Sequence, residues 1–295
     1  NGGPEVLRYE DAPEPKAGQG QVLVRVKAAS VNPIDYKIAS GYRPVSFPWI
    51  PGGDFSGVIE AIGPGIVGLK KGDSVYGDTP GGGAYAQLVA ASADMVAAKP
   101  GNLNYIEAAS VPLAAQTAWQ GLFDHGHLQK GQTVLIHGGS GGVGTFAVQL
   151  AHWKGARVLA TGAASNLDYL RTLGADEVID YKKTAFESAG RDVDVVLDLI
   201  GGDTHQRSYG VLKRGGYLIS TVQPPSEEEA RKRGIQAMVF RMQPTRKNLE
   251  ELATLLDNGA VKITLAQTFP LAQAQEAWKQ IMSRHTRGKI VLEVH

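Results

Sequence analysis

The stretch "TVLIHGGSGGVGTFAVQLAHW", residues 133–153, constrains this chain more than any other, because a short apolar run enters five glycines within seven positions and leaves as a helical pattern. Gly139, Gly141 and Gly144 match G-x-G-x-x-G. In that spacing the first glycine permits a tight turn, the second lets backbone amides approach a pyrophosphate, and the third lets helix pack against strand. The helix N-terminus adds N–H donors and partial positive charge. Gly139, Ser140, Gly141, Gly142, Val143 and Gly144 are therefore expected to cradle a dinucleotide. A turn serving only packing would carry the same letters, so the weight rests on the strand and helix around it and on the βα units that follow.

Those units are legible as "ARVLATG", "LDYLRTLG", "EVIDY", "DVVLDLIG", "SYGVLKRGG" and "YLISTV", read as alternating strands and helices with "SYGVLKRGG" as a helix. Apolar strands without alternation suit a parallel sheet buried on both faces. The fold class is thus α/β, with a Rossmann doubly wound parallel sheet. Upstream the pattern differs: "QVLVRVKAASV" sets Val22, Val24 and Val26 on one face and Leu23, Arg25 and Lys27 on the other, the alternation of a half-buried strand. Short strand-like pieces bounded by Gly or Pro follow, which suits a compact β-rich domain. After Gln243 an amphipathic helix, "RKNLEELATLLDNG", precedes two more strands, expected to return to the first domain. At 295 residues, two domains are expected.

Composition excludes several classes. No apolar run approaches the roughly 18 residues of a membrane span. With 30 Lys and Arg against 29 Asp and Glu, the balance argues against nucleic acid as a partner. No cysteine is present, so there is no disulfide, thiolate nucleophile or Cys-ligated zinc. Without a recognisable signal peptide, the cytoplasm is the default location. "HGH" at His125 and His127 has no third ligand nearby and reads as a helix end and loop.

The choice of dinucleotide is expected at the end of the second strand, where an NAD enzyme places an acid for the ribose 2′-hydroxyl. Gly162 stands there, in "ATGAASN", with no carboxylate before Asp168. A 2′-phosphate would meet no repulsion. Ser165, Asn166 and Tyr181 offer hydrogen bonds, and Lys182 and Arg171 offer charge. Ser165 could equally be an N-cap. NADPH is the expected cofactor.

Together, "NGGPEVLRYEDAPEPKAGQGQVLVRVKAASVNPIDYK", "FPWIPGGDFSGVIEAIGPGI", "VLIHGGSGGVGTFAVQLA" and "HTRGKIVLEV" resemble the zinc-independent quinone oxidoreductase branch of the medium-chain dehydrogenase/reductase family. The match runs in order over nearly the whole chain. Two features depart from the family pattern: its opening strand would precede Asn1, and "YGDTPGGGAYAQ" is shorter than usual.

The resemblance implies a GroES-like catalytic domain at residues 1–112 and 244–295, flanking the nucleotide domain at 113–243, with the substrate cleft between them. Zinc ligands of metal-dependent relatives fall on Asn32, Gly53 and Leu113, so no metal is expected. The implied activity is NADPH-dependent hydride transfer to a quinone or an α,β-unsaturated carbonyl, a small-molecule partner. Asn32 and Tyr36 are the candidate hydrogen-bond donors to the reacting oxygen, with Tyr42 weaker. The tyrosines could instead be amphipathic core residues. By the same resemblance Thr117 faces the nicotinamide ribose, Ile200 and Gly201 line the adenosine side, and Phe240 lies near the nicotinamide amide. Arg287 and Lys289 are late cofactor contacts, or else a solvated charge pair. Asp54 is expected to organise its loop, His137 to help shape the cleft, and Trp49 to be a buried aromatic or a substrate wall. Relatives of this kind often form homodimers. Other readings are an NADPH-binding, non-catalytic or RNA-binding crystallin-like protein, and an enoyl-thioester reductase.

Overall fold

A computed structural model describes residues 2–295; Asn1, where the family resemblance begins, lies outside the described residues. The chain forms two compact units, one comprising residues 2–116, 243–259 and 263–295, the other residues 117–242 and 260–262. In chain order the strands are β1 (Gln21–Val31), β2 (Asp54–Ile62), β3 (Ser74–Asp78), β4 (Leu88–Ser92), β5 (Val96–Ala98), β6 (Thr133–His137), β7 (Arg157–Gly162), β8 (Glu177–Asp180), β9 (Val193–Asp198), β10 (Leu212–Ser220), β11 (Gln236–Val239), β12 (Leu265–Pro270) and β13 (Lys289–Glu293). The helices are α1 (Pro33–Ala39), α2 (Tyr105–Ala109), α3 (Pro112–Trp119), α4 (Gly142–Trp153), α5 (Leu167–Thr172), α6 (Phe186–Ala189), α7 (Gly202–Ser208), α8 (Glu227–Arg233), α9 (Arg246–Asp257) and α10 (Ala274–Met282).

The first unit is built on one sheet in the order β12-β13-β1-β2-β3-β5, with β4 pairing β1. Its β1–β2 and β2–β3 ladders are antiparallel, so one face can be buried and the other wet. Val22, Val24 and Val26 of β1 are buried as their alternation requires, and Arg25 and Lys27 are exposed. Behind that face lie Phe55, Ile59, Trp278 and Ile290, all fully buried. The C-terminal strand closes the sheet, with Ala28 opposite Glu293 and Val31 opposite Ile290.

The second unit is a six-stranded sheet in the order β11-β10-β9-β6-β7-β8, every ladder parallel. Its central strands are buried along nearly their whole length, as strands covered on both faces must be. The order reverses beside β6, so the loops at the carboxyl ends of β6 and β9 flank the switch point where ligands bind in open α/β sheets. Residues 260–262 join this unit because the Gln149 carboxamide bonds both the N–H and the C=O of Lys262.

The expected helix at "SYGVLKRGG" is not formed. The helix of this crossover lies earlier, at α7, and Leu212 already begins β10. Glycine disfavours a helix interior, and Gly215 has φ +79, a left-handed conformation that the strand absorbs as a break in register between Leu212 and Tyr217.

Phe55 is fully buried in the first unit's core, so Phe55→Ala is expected to destabilise the protein by about 3–5 kcal/mol, seen as a lower urea midpoint.

Candidate cofactor and substrate sites

Strand β6 delivers the chain into the glycine loop, and α4 begins at Gly142. The tight turn falls one residue before the motif, on Gly138, whose φ of +76 a side chain rarely adopts. Gly138 donates its N–H to Thr161 Oγ1 (3.1 Å) and Gly139 donates to the Thr161 carbonyl (3.0 Å), tying the loop to β7. A Cβ on Gly139 would stand 3.0 Å from Leu170 Cδ2 and 3.1 Å from Ala160 Cβ. One on Gly144 would overlap the Gly138 carbonyl oxygen.

Gly141 is different. A Cβ there would meet only the Gly138 oxygen, at 3.5 Å, an ordinary contact. The protein's own packing therefore does not demand a bare residue at Gly141. The opening N–H groups of α4 have no intrahelical partner, the first helical bond running from Thr145 to the Gly141 carbonyl. No acidic side chain occupies the first turn to neutralise the positive end of the helix. A helix start of this kind suits an anion.

The neighbouring carboxyl ends of β7 and β8 gather the residues expected to choose the cofactor. Gly162 accepts the N–H of Tyr181 (3.3 Å), and Asn166 Nδ2 donates to Ser140 Oγ (3.1 Å), joining this corner to the glycine loop. Gly162 has a steric reason as well, since a Cβ would stand 2.8 Å from Leu170 Cδ1 in the core. Ser165 is exposed within a single 3-10 turn, and the N-cap position of α5 belongs to Asn166, so the N-cap reading of Ser165 does not hold. Tyr181 is 55% exposed, with the Lys182 ammonium 6.0 Å from its ring centre. Arg171 is paired with Asp168 at 2.6 Å.

Ile200 is exposed beside the glycine loop, its Cδ1 3.0 Å from where a Gly138 Cβ would be. Gly201 follows it and donates its N–H to Asp198. Phe240 is buried with its ring 4.7 Å from that of His125, and Thr117 is buried on α3. His137 does not shape a cleft. Its side chain is wholly buried, bonded through Nε2 to Ser208 Oγ (2.9 Å), and burial pushes its pKa down to about 4.

In the first unit the sequence candidates fall into a buried polar cluster. Asn32 precedes α1 and donates its backbone N–H to Asp35 (2.8 Å). Its Nδ2 donates to Asp54 Oδ2 (2.8 Å), and its Oδ1 accepts from the Lys289 ammonium. Asp54 also accepts from Ser30 Oγ (2.6 Å) and from the Leu113 N–H (2.7 Å), as expected of a residue that organises its loop. Lys289 lies 3.7 Å from Asp54 and is only 4% exposed, so a solvated pair with Arg287 is excluded: Arg287 is exposed and Lys289 is enclosed. Tyr36 is half-buried, and among the described residues its hydroxyl has no hydrogen-bond partner. Tyr42 is exposed, and Trp49 is half-buried with Nε1 on the Gly81 carbonyl (2.8 Å).

Four residues here, Asp35, Tyr85, Trp278 and Asp78, were not legible beforehand. Asp35 accepts the Tyr85 hydroxyl (2.9 Å), which in turn receives Trp278 Nε1 (3.3 Å). Asp78 is buried, and among the described residues one of its carboxyl oxygens has no hydrogen-bond partner. Burial pushes Asp35 up to about 7 against the hydrogen bonds from Asn32 and Tyr85. Burial, reinforced by the charge of Asp54, pushes Asp78 well up, and burial pulls Lys289 down despite the neighbouring carboxyl groups. Asp35 closes a local capping box with Asn32, whereas contacts between residues far apart in sequence bring in the others, so no local pattern marks those.

None of this suits zinc. Gly53 has no side chain, Leu113 offers only hydrocarbon, and the Asn32 carboxamide is engaged at both ends. Among the described residues no group of three His, Cys, Asp or Glu is placed to hold a metal ion, and no helix is long and apolar enough to cross a membrane.

Two family models match the chain: an alcohol dehydrogenase GroES-like domain over residues 18–101 and a zinc-binding dehydrogenase over residues 173–292. The 2-methylene-furan-3-one reductase of Solanum lycopersicum is 34% identical over 312 residues, spanning 99% of this chain and 76% of its own length. The quinone oxidoreductase structure from Coxiella burnetii superposes with a TM-score of 0.92 at 35% identity, covering 100% of this chain and 96% of that one. The Escherichia coli quinone oxidoreductase complexed with NADPH gives 0.90 at 30%, covering 99% and 97%. Fold, loop and likeness over the full length agree: the chain belongs to the medium-chain dehydrogenase/reductase family, in its quinone oxidoreductase branch.

Two expectations follow from the geometry. Gly144→Ala should lower the melting temperature by several degrees, whereas Gly141→Ala should leave it within about 2 °C; equal losses would refute the division between a packing glycine and a ligand glycine. Second, Asp35 has a folded pKa of about 7 against an ordinary 3.8, so the folded state binds more protons than the unfolded one between those values. Stability should therefore fall as pH rises through that window, Asp35 contributing at most about 1.4 kcal/mol per pH unit, with Asp78 acting in the same direction. Asp35→Asn should flatten the profile in urea titrations across that range; an unchanged slope would contradict the assignment.

Proposed function

We propose that the protein is an NADPH-dependent oxidoreductase that passes a hydride to a quinone or to the β-carbon of an α,β-unsaturated carbonyl, and that it does so without zinc. The observation that carries the reaction class is the chemistry at Asn32, Gly53 and Leu113, which supply no ligand set for a metal that would polarise an alcohol oxygen. A conjugated acceptor is already electrophilic. Support comes from the relatives: one is named for reduction of a methylene-furanone, an enone by its name, and two solved structures are quinone oxidoreductases, one with NADPH bound.

The residues present fit the cofactor. Gly139, Ser140, Gly141, Gly142, Val143 and Gly144 would take the pyrophosphate, and Gly141 is bare without any need of the protein's own packing. Gly162, Ser165 and Tyr181 would receive the 2′-phosphate, while Thr117, Ile200, Gly201, Phe240 and Arg287 complete the contacts. When bound, NADPH supplies the hydride. The chain's part is to orient the acceptor and to hold a donor toward the oxygen on which charge develops. Tyr36, with its open hydroxyl, and the remaining Nδ2 hydrogen of Asn32 are the donors assigned to that task. Lys289, enclosed with Asp54, fixes the Asn32 carboxamide rather than reaching for a phosphate. A homodimer through the edge strand β11, where Val239 is exposed, completes the reading.

The purified protein should oxidise NADPH with 9,10-phenanthrenequinone or a 2-alkenal in the presence of a metal chelator. It should bind NADPH more tightly than NADH in a fluorescence titration. Tyr36→Phe should lower kcat by about tenfold or more with little change in NADPH affinity. Failure with both acceptor classes, or tighter NADH binding, would count against the proposal.

A further inference from the structure

Asp198, at the end of β9, holds more partners than any packing role requires. Its Oδ1 accepts the N–H groups of Ile200 (3.0 Å) and Gly201 (2.9 Å). Its Oδ2 accepts His205 Nδ1 (2.7 Å) and Ser220 Oγ (3.1 Å), and its backbone carbonyl accepts the Thr221 N–H (3.2 Å). Ser220 Oγ in turn accepts the N–H groups of Val222 (3.2 Å) and Gln223 (3.4 Å). Gln223 Oε1 then takes the Gly202 N–H (2.6 Å), closing the circuit. One carboxylate, wholly buried, thus sets the backbone of both loops that leave β9 and β10.

Those loops present two aliphatic side chains outward. Ile200 is 57% exposed and Val222 41%. They flank Gly201, where a Cβ would stand 3.0 Å from Val222 Cγ2, and Ile200 also adjoins Gly138 of the glycine loop. Apolar groups held in water by a rigid polar frame, at the carboxyl ends of parallel strands, mark a surface built to be covered by a ligand.

The frame has a near end and a far end. His205 is wholly buried, and with a carboxylate as its partner its Nδ1 carries the hydrogen. Nε2 then faces the Tyr209 hydroxyl at 3.4 Å, and that hydroxyl accepts the Ser226 N–H (2.7 Å) at the start of α8. Asp198 and Ser220 bond the 199–202 and 221–223 segments; Tyr209 bonds the anchor His205 and, outside those segments, Ser226.

We propose that Asp198 is a positioning residue for the cofactor, its carboxylate anchored by His205 and shaping the 199–202 and 221–223 loops into the apolar wall that receives NADPH. This rests on the reading of the protein as an NADPH enzyme. Asp198→Asn, Ser220→Ala and Tyr209→Phe in the intact protein, titrated with NADPH well below their melting temperatures, test it. Asp198→Asn should weaken NADPH binding by about tenfold or more, with KM for NADPH rising further than kcat falls, and Ser220→Ala by about threefold. Tyr209→Phe should lower the melting temperature and leave NADPH affinity unchanged. If Asp198→Asn does not fold, the contrast between Ser220→Ala and Tyr209→Phe decides. Unchanged affinity in Asp198→Asn or Ser220→Ala, or an equal loss in Tyr209→Phe, overturns the proposal as a mere matter of stability. Wild-type protein that fails to bind NADPH would instead remove the functional reading beneath it.

Discussion

The close approach of α4 to the turn it leaves is the constraint from which the second unit follows. Gly144 sits where any side chain would overlap the Gly138 carbonyl, and Gly139 is pressed between Ala160 and Leu170. These contacts seat the helix against β6 and β7 and leave its opening N–H groups without an intrahelical partner. Of the three motif glycines, Gly141 alone is free of that packing, so its bareness is not explained by the protein's own contacts. The two kinds of glycine look alike in the motif and are separated only by what a Cβ would meet.

The first unit depends on a different balance, three carboxyl groups and one lysine amine withdrawn from water together. Such a group is seldom retained for stability alone, because desolvation offsets much of the Coulomb attraction. What it achieves here is orientation. Asp54 collects Ser30, Asn32, Leu113 and Lys289 on one side chain, so the carboxamide of Asn32 is held at both ends while α1 is held at its start by Asp35.

Much of this was open to reading from the chain. The valines of β1 alternate and are buried, the parallel strands are apolar throughout, and the glycine loop lies between strand and helix as its spacing implies. Local pattern failed where glycines interrupt a strand, at "KRGG" in β10, and where an apolar-flanked histidine, His137, resembled a cleft residue although burial encloses it. It failed more widely where function depends on partners far apart in the chain. Lys289 and Asn32 stand 257 positions apart, and Asp198 meets Ser220 across two neighbouring strands. No periodicity announces either contact.

The proposed reaction carries hydride to a conjugated carbon with no metal at the carbonyl. It is tested most directly by supplying NADPH deuterated at nicotinamide C4 together with a 2-alkenal and a chelator, and locating the label by NMR. The account predicts deuterium on the β-carbon of a saturated aldehyde. Deuterium on the carbonyl carbon of an allylic alcohol, or transfer that begins only when zinc is added, would contradict it.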